Sequence, residues 1–156
     1  DAWLYSIFLP IEARMIDSET AAQALYYTEV RLERDTVECA EPNSTGTIAC
    51  GERVWTSNWV PALWSVRQMW PGDNFATANA YYIAGLPRGG WKLLRGSMNH
   101  DMLQSVVPGL LGGANGGTDF NDCVHPFARL LVEGVWGYRP DYPKDEVVIA
   151  PQLPVE

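Results

Sequence analysis

Proline and glycine cut this chain into short apolar-periodic runs, and that punctuation limits its fold more than any other feature. Four segments read as helices with start and stop signals, and only the tail reads as strand. Asp17 or Ser18 caps the first, about Thr20 to Arg34, with Ala21, Ala22, Leu25, Tyr26 and Leu32 as its apolar stripe. Trp3 to Met15 reads as an earlier helix, broken or started at Pro10, and the stretch up to about Arg53 as loop. Ser57 or Asn58 caps the second clear helix, with Pro61 in its first turn and Pro71-Gly72 ending it after Trp70. Asp73 then caps a third, Asn74 to Ala84, stopped by Gly85, and Pro87 opens a further short helical stretch. From Gly96 to Asn121 the pattern gives way to glycine and polar residues, read as a long loop. That loop feeds a last helix capped by Asp119 or Asp122, with Phe127, Leu130, Leu131 and Val135 as its buried stripe.

The tail Val147-Val148-Ile149-Ala150 reads as a first strand whose partners the chain hardly has room to supply. With the packed-looking run at Trp3 to Leu9, this suggests a chain that begins and ends within a larger fold. At 156 residues, 47% hydrophobic and 19% charged, the composition is that of one packed domain. A net charge of -8 with scattered Lys and Arg argues against nucleic acid and anionic membrane surfaces as partners. No apolar stretch approaches bilayer-spanning length. Cys39 and Cys50 bracket a turn-rich loop and can staple its base, which would suit an extracytoplasmic or secreted location. The alternative is that all three cysteines, Cys123 included, are reduced thiols.

Several stretches together resemble the late hairpins of the six-hairpin, (α/α)6-toroid glycosidase superfamily. They are Tyr27-Thr28-Glu29, Thr56-Ser57-Asn58-Trp59-Val60-Pro61, Gly116-Gly117-Thr118-Asp119-Phe120, and Leu131 to Asp141 with its Gly-Tyr-Arg-Pro-Asp ending. The resemblance implies a mainly α fold of antiparallel helical hairpins, an incomplete toroid over residues 1–140 with a short C-terminal β-strand. Residues 141–156 would then be a linker and the first strand of a β-domain. It further implies that the remainder of the same polypeptide, or another chain, completes the barrel.

Cleaving a glycosidic bond needs one carboxyl to protonate the leaving oxygen and a second to activate water or attack the sugar. Asp119 and Glu29 are the leading acid/base candidates, with Asp122 behind them, and Glu33 also falls on the helix that carries Glu29. In a toroid, loops feeding inner helices line one rim, which would gather Trp55, Asn58, Trp59, Asn121 and His125 as substrate-binding residues. Glu29 is expected to reach the same end. Each candidate has a plainer reading: Asp119 and Asp122 as helix caps, Glu29 and Glu33 as a solvated charged face, Trp55 and Trp59 as core anchors. Glu29 nevertheless interrupts an apolar stripe, the setting in which burial lifts a carboxyl toward a general acid.

Two separated histidines, His100 in the long loop and His125 at a helix start, argue against a metal site or a His-based triad. The Gly112 to Gly117 loop lacks the Gly-Lys-Ser/Thr of a nucleotide site, so no cofactor is expected. The expected activity is therefore glycoside hydrolysis on an oligo- or polysaccharide. Its rivals are a non-catalytic helical subunit for glycan binding or assembly, and a polysaccharide lyase or glycoside phosphorylase on the same toroid.

Overall fold

The computed structural model describes residues 2–59, 67–103 and 123–153. Helix α1 spans Leu4–Glu12 and buries Leu4, Ile7, Phe8 and Ile11, the three-and-four spacing of one helical face. Pro10 lies inside it without ending it. Helix α2 spans Ser18–Val30, and Asp17 caps it by accepting a hydrogen bond from the Thr20 amide at 2.8 Å.

Helix α2 stops short of the expected Arg34 because a strand begins there. The stretch expected as loop is an antiparallel hairpin, β1 (Arg34–Ala40) with β2 (Thr47–Val54), bulged between Val37 and Glu38. Its alternation is hard to see because Val37, Cys50 and Val54 are its only fully buried apolar side chains, while Arg34, Glu38 and Glu52 occupy other positions. A Cys39–Cys50 disulfide crosses it, and Cys123 is buried and outside any disulfide. With the bonded cysteines at a sequence separation of 11, replacing both by alanine is expected to lower stability by roughly 3 kcal/mol, the loop-entropy value for so short a loop. A urea midpoint equal to that of the parent would show that the strand ladder alone holds the hairpin.

Helix α3 spans Pro71–Ile83, with Pro71 in its first turn. The residue expected to end one helix therefore starts the next, since a proline at that position forfeits no hydrogen bond. Asp73 is not the cap but a first-turn residue behind Trp70; the expected helix before it crosses residues 60–66, outside the described residues, and does not reach Trp70, because residues 67–70 are a turn and irregular chain held by bonds from Arg67 to Ser57 and from Gln68 to Thr56. Helix α4 spans Pro87–Ser97 and continues as a π-helical turn, Met98–Leu103. The loop expected from Gly96 onward thus begins as helix. Glycine fits at position 96 because β2 passes so close that a Cβ there would lie 2.0 Å from the Glu52 carbonyl oxygen. The remainder of that loop, residues 104–122, falls outside the described residues.

Helix α5 spans Val124–Arg129 and continues as a π-helical turn, Leu130–Val135. The tail strand β4 (Glu146–Ile149) is not alone: it pairs antiparallel with β3 (Tyr138–Asp141) across a short 3-10 turn, so the Arg-Pro-Asp stretch is its partner. Among the described residues the architecture is mainly helical with two small antiparallel hairpins.

Helix α3 is the hub, buried along nearly its whole length. It packs on α1, α4 and α5. Cys123 approaches Gly72, Phe127 meets Phe75 at 5.1 Å, and Gly134 approaches Asn79 and Tyr82, so α5 runs alongside α3 in the same sense. Helix α1 does likewise, with Leu4 bonded to Thr56 near the start of α3 and Glu12 bonded to Asn79 further along. Helix α4 returns in the opposite sense, Gly90 against Tyr82 and Gly96 against Glu52. Buried Asn74 locks the end of β2 to α3, its amide both accepting from the Val54 N–H and donating to the Val54 carbonyl.

Candidate functional site

Three helices running the same way leave a cleft of about 310 Å³ between them. Tyr5, Phe8 and Glu12 of α1 form one wall, spaced three and four apart so that they share a face. Trp70 with Asp73 and Ala76 forms the second at the head of α3, and His125 with Arg129 of α5 forms the third. Two carboxyls thus line a cleft that also carries the rings of Tyr5, Phe8 and Trp70.

Their surroundings differ. Glu12 is the last residue of α1 and its side chain is 12% exposed. Burial pushes its carboxyl up from the ordinary range, against the lowering effects of a 2.8 Å bond from Asn79 Nδ2 and of the Arg129 guanidinium; nearby Glu133 adds to the rise. Arg129 lies 3.2 Å from Glu12 and also bonds Glu133 at 3.0 Å, so its charge is shared. The carbonyl-rich end of α1 acts in the same sense as burial, disfavouring negative charge at Glu12. Asp73, 4% exposed, stands in the first turn of α3, where the helix dipole favours negative charge. Two carboxyls in opposed electrical settings are the arrangement from which an acid and a base are made.

The candidates read from the sequence fall in three places. Asp119, Asp122 and Asn121 lie outside the described residues. Trp55, Asn58 and Trp59 share a loop near the heads of α1 and α3, and exposed His125 lines the cleft at that same end of α3. Asn58 spends its amide on structure: it accepts from the Glu33 N–H at 3.0 Å and donates to the Arg31 carbonyl, tying the loop to the end of α2. Trp55 is half-buried with its indole N–H toward Asp35, whereas Trp59 is 41% exposed and rests against Trp3.

Glu29 does not join His125. It flanks the far end of α3, where the Tyr81 hydroxyl donates to it at 2.6 Å and Arg34 lies at 3.8 Å. Nor is it buried on an apolar stripe, being 35% exposed. It opens on a separate groove of about 580 Å³ lined by Tyr26, Tyr81, Leu86 and Arg88. Burial and the bond to Glu29 push the Tyr81 hydroxyl up, so it stays a donor and Glu29 its acceptor. Glu33 pairs with Arg67 at 2.9 Å.

His100 and Asp101 are likewise held more firmly than a loop would hold them. In the π-helical turn after α4, His100 Nδ1 lies 2.8 Å from both Asp101 Oδ1 and Arg53 Nη1, and Arg53 also reaches Asp35 at 3.6 Å. The cluster clamps β2 to α4, and burial raises the Asp101 carboxyl despite His100 and Arg53.

Glu12, Asp73, Tyr5 and Trp70 line the cleft although the sequence did not single them out as site candidates. The available signal was a lone acid on an otherwise apolar face: Glu12 continues the Tyr5, Phe8 spacing, and Asp73 sits between Trp70 and Ala76. Among the described residues no group of three or more His, Cys, Asp or Glu is placed to hold a metal ion, and no helix is long and apolar enough to cross a membrane. No family model, curated protein or solved structure matches the chain.

Proposed function

We propose that this chain carries a glycoside-cleaving site in the cleft between α1, α3 and α5, with Glu12 as proton donor and Asp73 as the second carboxylate. The observation that carries the reading is the pair itself: a buried acid whose carboxyl is raised, across an aromatic-walled cleft from a buried acid at a helix start. Tyr5 and Trp70 offer ring faces to a pyranose, and His125 offers a hydrogen-bonding group at the mouth. The same-sense run of α1, α3 and α5, with α4 returning, is the alternation that a toroid of helical hairpins would produce, and it supports the resemblance. The Cys39–Cys50 bond suits an extracytoplasmic setting. Asp119 and Asp122, outside the described residues, stay candidates as the partner carboxylate, whereas Glu29 faces the separate groove beside Tyr81.

A non-catalytic glycan-binding role is favoured by one feature: both Glu12 oxygens already have partners, Asn79 and Arg129, as in a structural ion pair. Aryl glycosides and neutral oligosaccharides, screened with the parent chain beside Asp73→Asn and Asp119→Asn, separate the two readings. Cleavage abolished by Asp73→Asn supports the assignment. Cleavage that survives Asp73→Asn but not Asp119→Asn moves the second carboxylate to Asp119, and ligand binding with no turnover by the parent chain sinks the catalytic reading.

A further inference from the structure

The β3–β4 hairpin carries its apolar face outward. Paired residues share a face, so Tyr138 with Ile149 and Pro140 with Val147 lie on one side, and Arg139 with Val148 and Asp141 with Glu146 on the other. The first set is uncharged and exposed, Val147 at 55% and Ile149 at 68%, whereas Arg139 and Asp141 are the half-buried residues of β3. A sheet packed on a core alternates the other way, apolar in and polar out. The body of the domain reaches the hairpin from the β3 side, through the π-helical turn Leu130–Val135, and β4 is exposed throughout among the described residues. A two-stranded hairpin left in this state is marginal by itself.

Its hydrogen bonding tells which edge is open. The Ala150 N–H donates to the Gly137 carbonyl at 3.2 Å, so Arg139 with Val148 and Asp141 with Glu146 are the other bond-exchanging pairs. The N–H and C=O groups of the residues between them point away from the partner strand. On β3 these belong to Tyr138 and Pro140, and proline has no N–H, which blunts that edge. On β4 they belong to Val147 and Ile149, and among the described residues neither makes a further backbone bond.

One register lets a second β4 close this edge. Set antiparallel about a two-fold axis at Val148, Val147 of each copy exchanges bonds with Ile149 of the other, using groups that already point outward. These β-branched side chains then meet on the shared apolar side, and Glu146 faces Ala150, so no like charges are opposed. Moving the axis by one residue would set outward groups against groups already bonded to β3. Moving it by two would oppose Glu146 to itself, or Ile149 to Pro151, which lacks the donor. The net charge of -8 repels any second copy at long range, but physiological salt screens that repulsion beyond about 8 Å.

We infer that β4 is a self-association edge: two copies of this chain pair β4 to β4 about Val148, joining their hairpins into one four-stranded sheet with a continuous apolar face. The pairing is independent of the chemistry assigned to the cleft. So narrow a contact falls below the standard interface of about 800 Å² per partner, and the dimer is accordingly weak and concentration-dependent.

Sedimentation equilibrium of the parent chain from roughly 5 to 500 µM should show monomer passing to dimer. Val147→Pro removes an N–H that the hairpin does not use, and should weaken the dimer about ten- to hundredfold. Val148 is the residue that faces its own copy, so Val148→Lys and Val148→Glu should each lose the dimer, and their equimolar mixture should restore it as a heterodimer. That charge pair decides the matter where proline at position 147 disturbs the hairpin. Val30→Ser, the loss of a comparably exposed valine from α2, should leave association unchanged. A parent chain that stays monomeric, leaving the edge to a strand of some other protein, overturns the inference. So does a dimer indifferent to Val147→Pro, a Lys–Glu mixture no more associated than either variant alone, or equal weakening by Val30→Ser.

Discussion

Gly96→Ala is expected to prevent this domain from folding, with loss of the cooperative thermal transition. A Cβ at Gly96 would lie 2.0 Å from the Glu52 carbonyl oxygen and 2.6 Å from the Glu52 nitrogen, and all of these are backbone atoms. No side chain can turn aside. The contact is reciprocal, because a Cβ at Gly51 would lie 2.2 Å from the Gly96 nitrogen. Pushing β2 off α4 would also part Glu52 from Lys92 and Arg53 from His100 and Asp101, so the loss should exceed about 4 kcal/mol, the range that marks a specific structural failure. Gly85→Ala is the graded comparison: its φ is +76°, so alanine is strained there, yet nothing lies within 4 Å of the added carbon. That variant should lose only about 1 kcal/mol. Equal melting temperatures for the two alanine variants would contradict the close approach.

On the proposed assignment of Glu12 as proton donor, Glu12→Gln is expected to reduce glycoside cleavage by about a hundred- to ten-thousand-fold, the range for removing a positioned general acid. Turnover by the parent chain should fall as pH rises through the raised Glu12 value, because only the protonated carboxyl donates. Stability should move independently of activity. A carboxyl whose value is higher folded than unfolded binds its proton more tightly in the fold, so its stabilising contribution is full below the ordinary 4.5 and is lost as pH rises through the folded value. Relative to Glu12→Gln, the parent chain should therefore be at its most stable in acid and lose that advantage toward neutrality. Thermal melts of both proteins from pH 3.5 to pH 7.5 read this directly. A parent chain that gains on the variant as pH rises would mean that the Arg129 pair outweighs burial, making Glu12 a structural anion.

Helices were legible wherever caps and apolar spacing agreed. Asp17 marks the start of α2, and Leu25 with Ala21 marks its buried face. The β1–β2 hairpin was not, because a two-stranded sheet with one packed face needs few apolar residues, and Arg53 and Cys50 occupy positions where a valine would have shown the alternation. Pro71 misled for a local reason: a proline both ends and begins helices, and only the packing of Phe75, Ala78 and Tyr82 decides between them. Gly96 misled because glycine signals a turn in sequence, whereas here it admits a neighbouring strand. Of the residues lining the cleft, His125 was singled out by its loop-to-helix junction. Glu12 and Asp73 were overlooked because Glu12 ends its helix and Asp73 sits where a cap was expected. Glu29, the acid that attracted notice by spacing, proved to be Tyr81's acceptor in a different groove.

The shared direction of α1, α3 and α5 has an electrical consequence. In an antiparallel bundle neighbouring macrodipoles largely cancel, but three that point the same way add. The backbones of the three then contribute a positive end at the Trp70 and His125 mouth and a negative end toward Glu12, on which the charges of Asp73 and Arg129 are superposed. A molecule with no net charge still feels such a gradient through its own polarity: its lone pairs turn toward the mouth and its hydroxyl protons toward the interior. A neutral guest entering such a cleft would therefore meet an orienting field from the backbone before any individual contact forms.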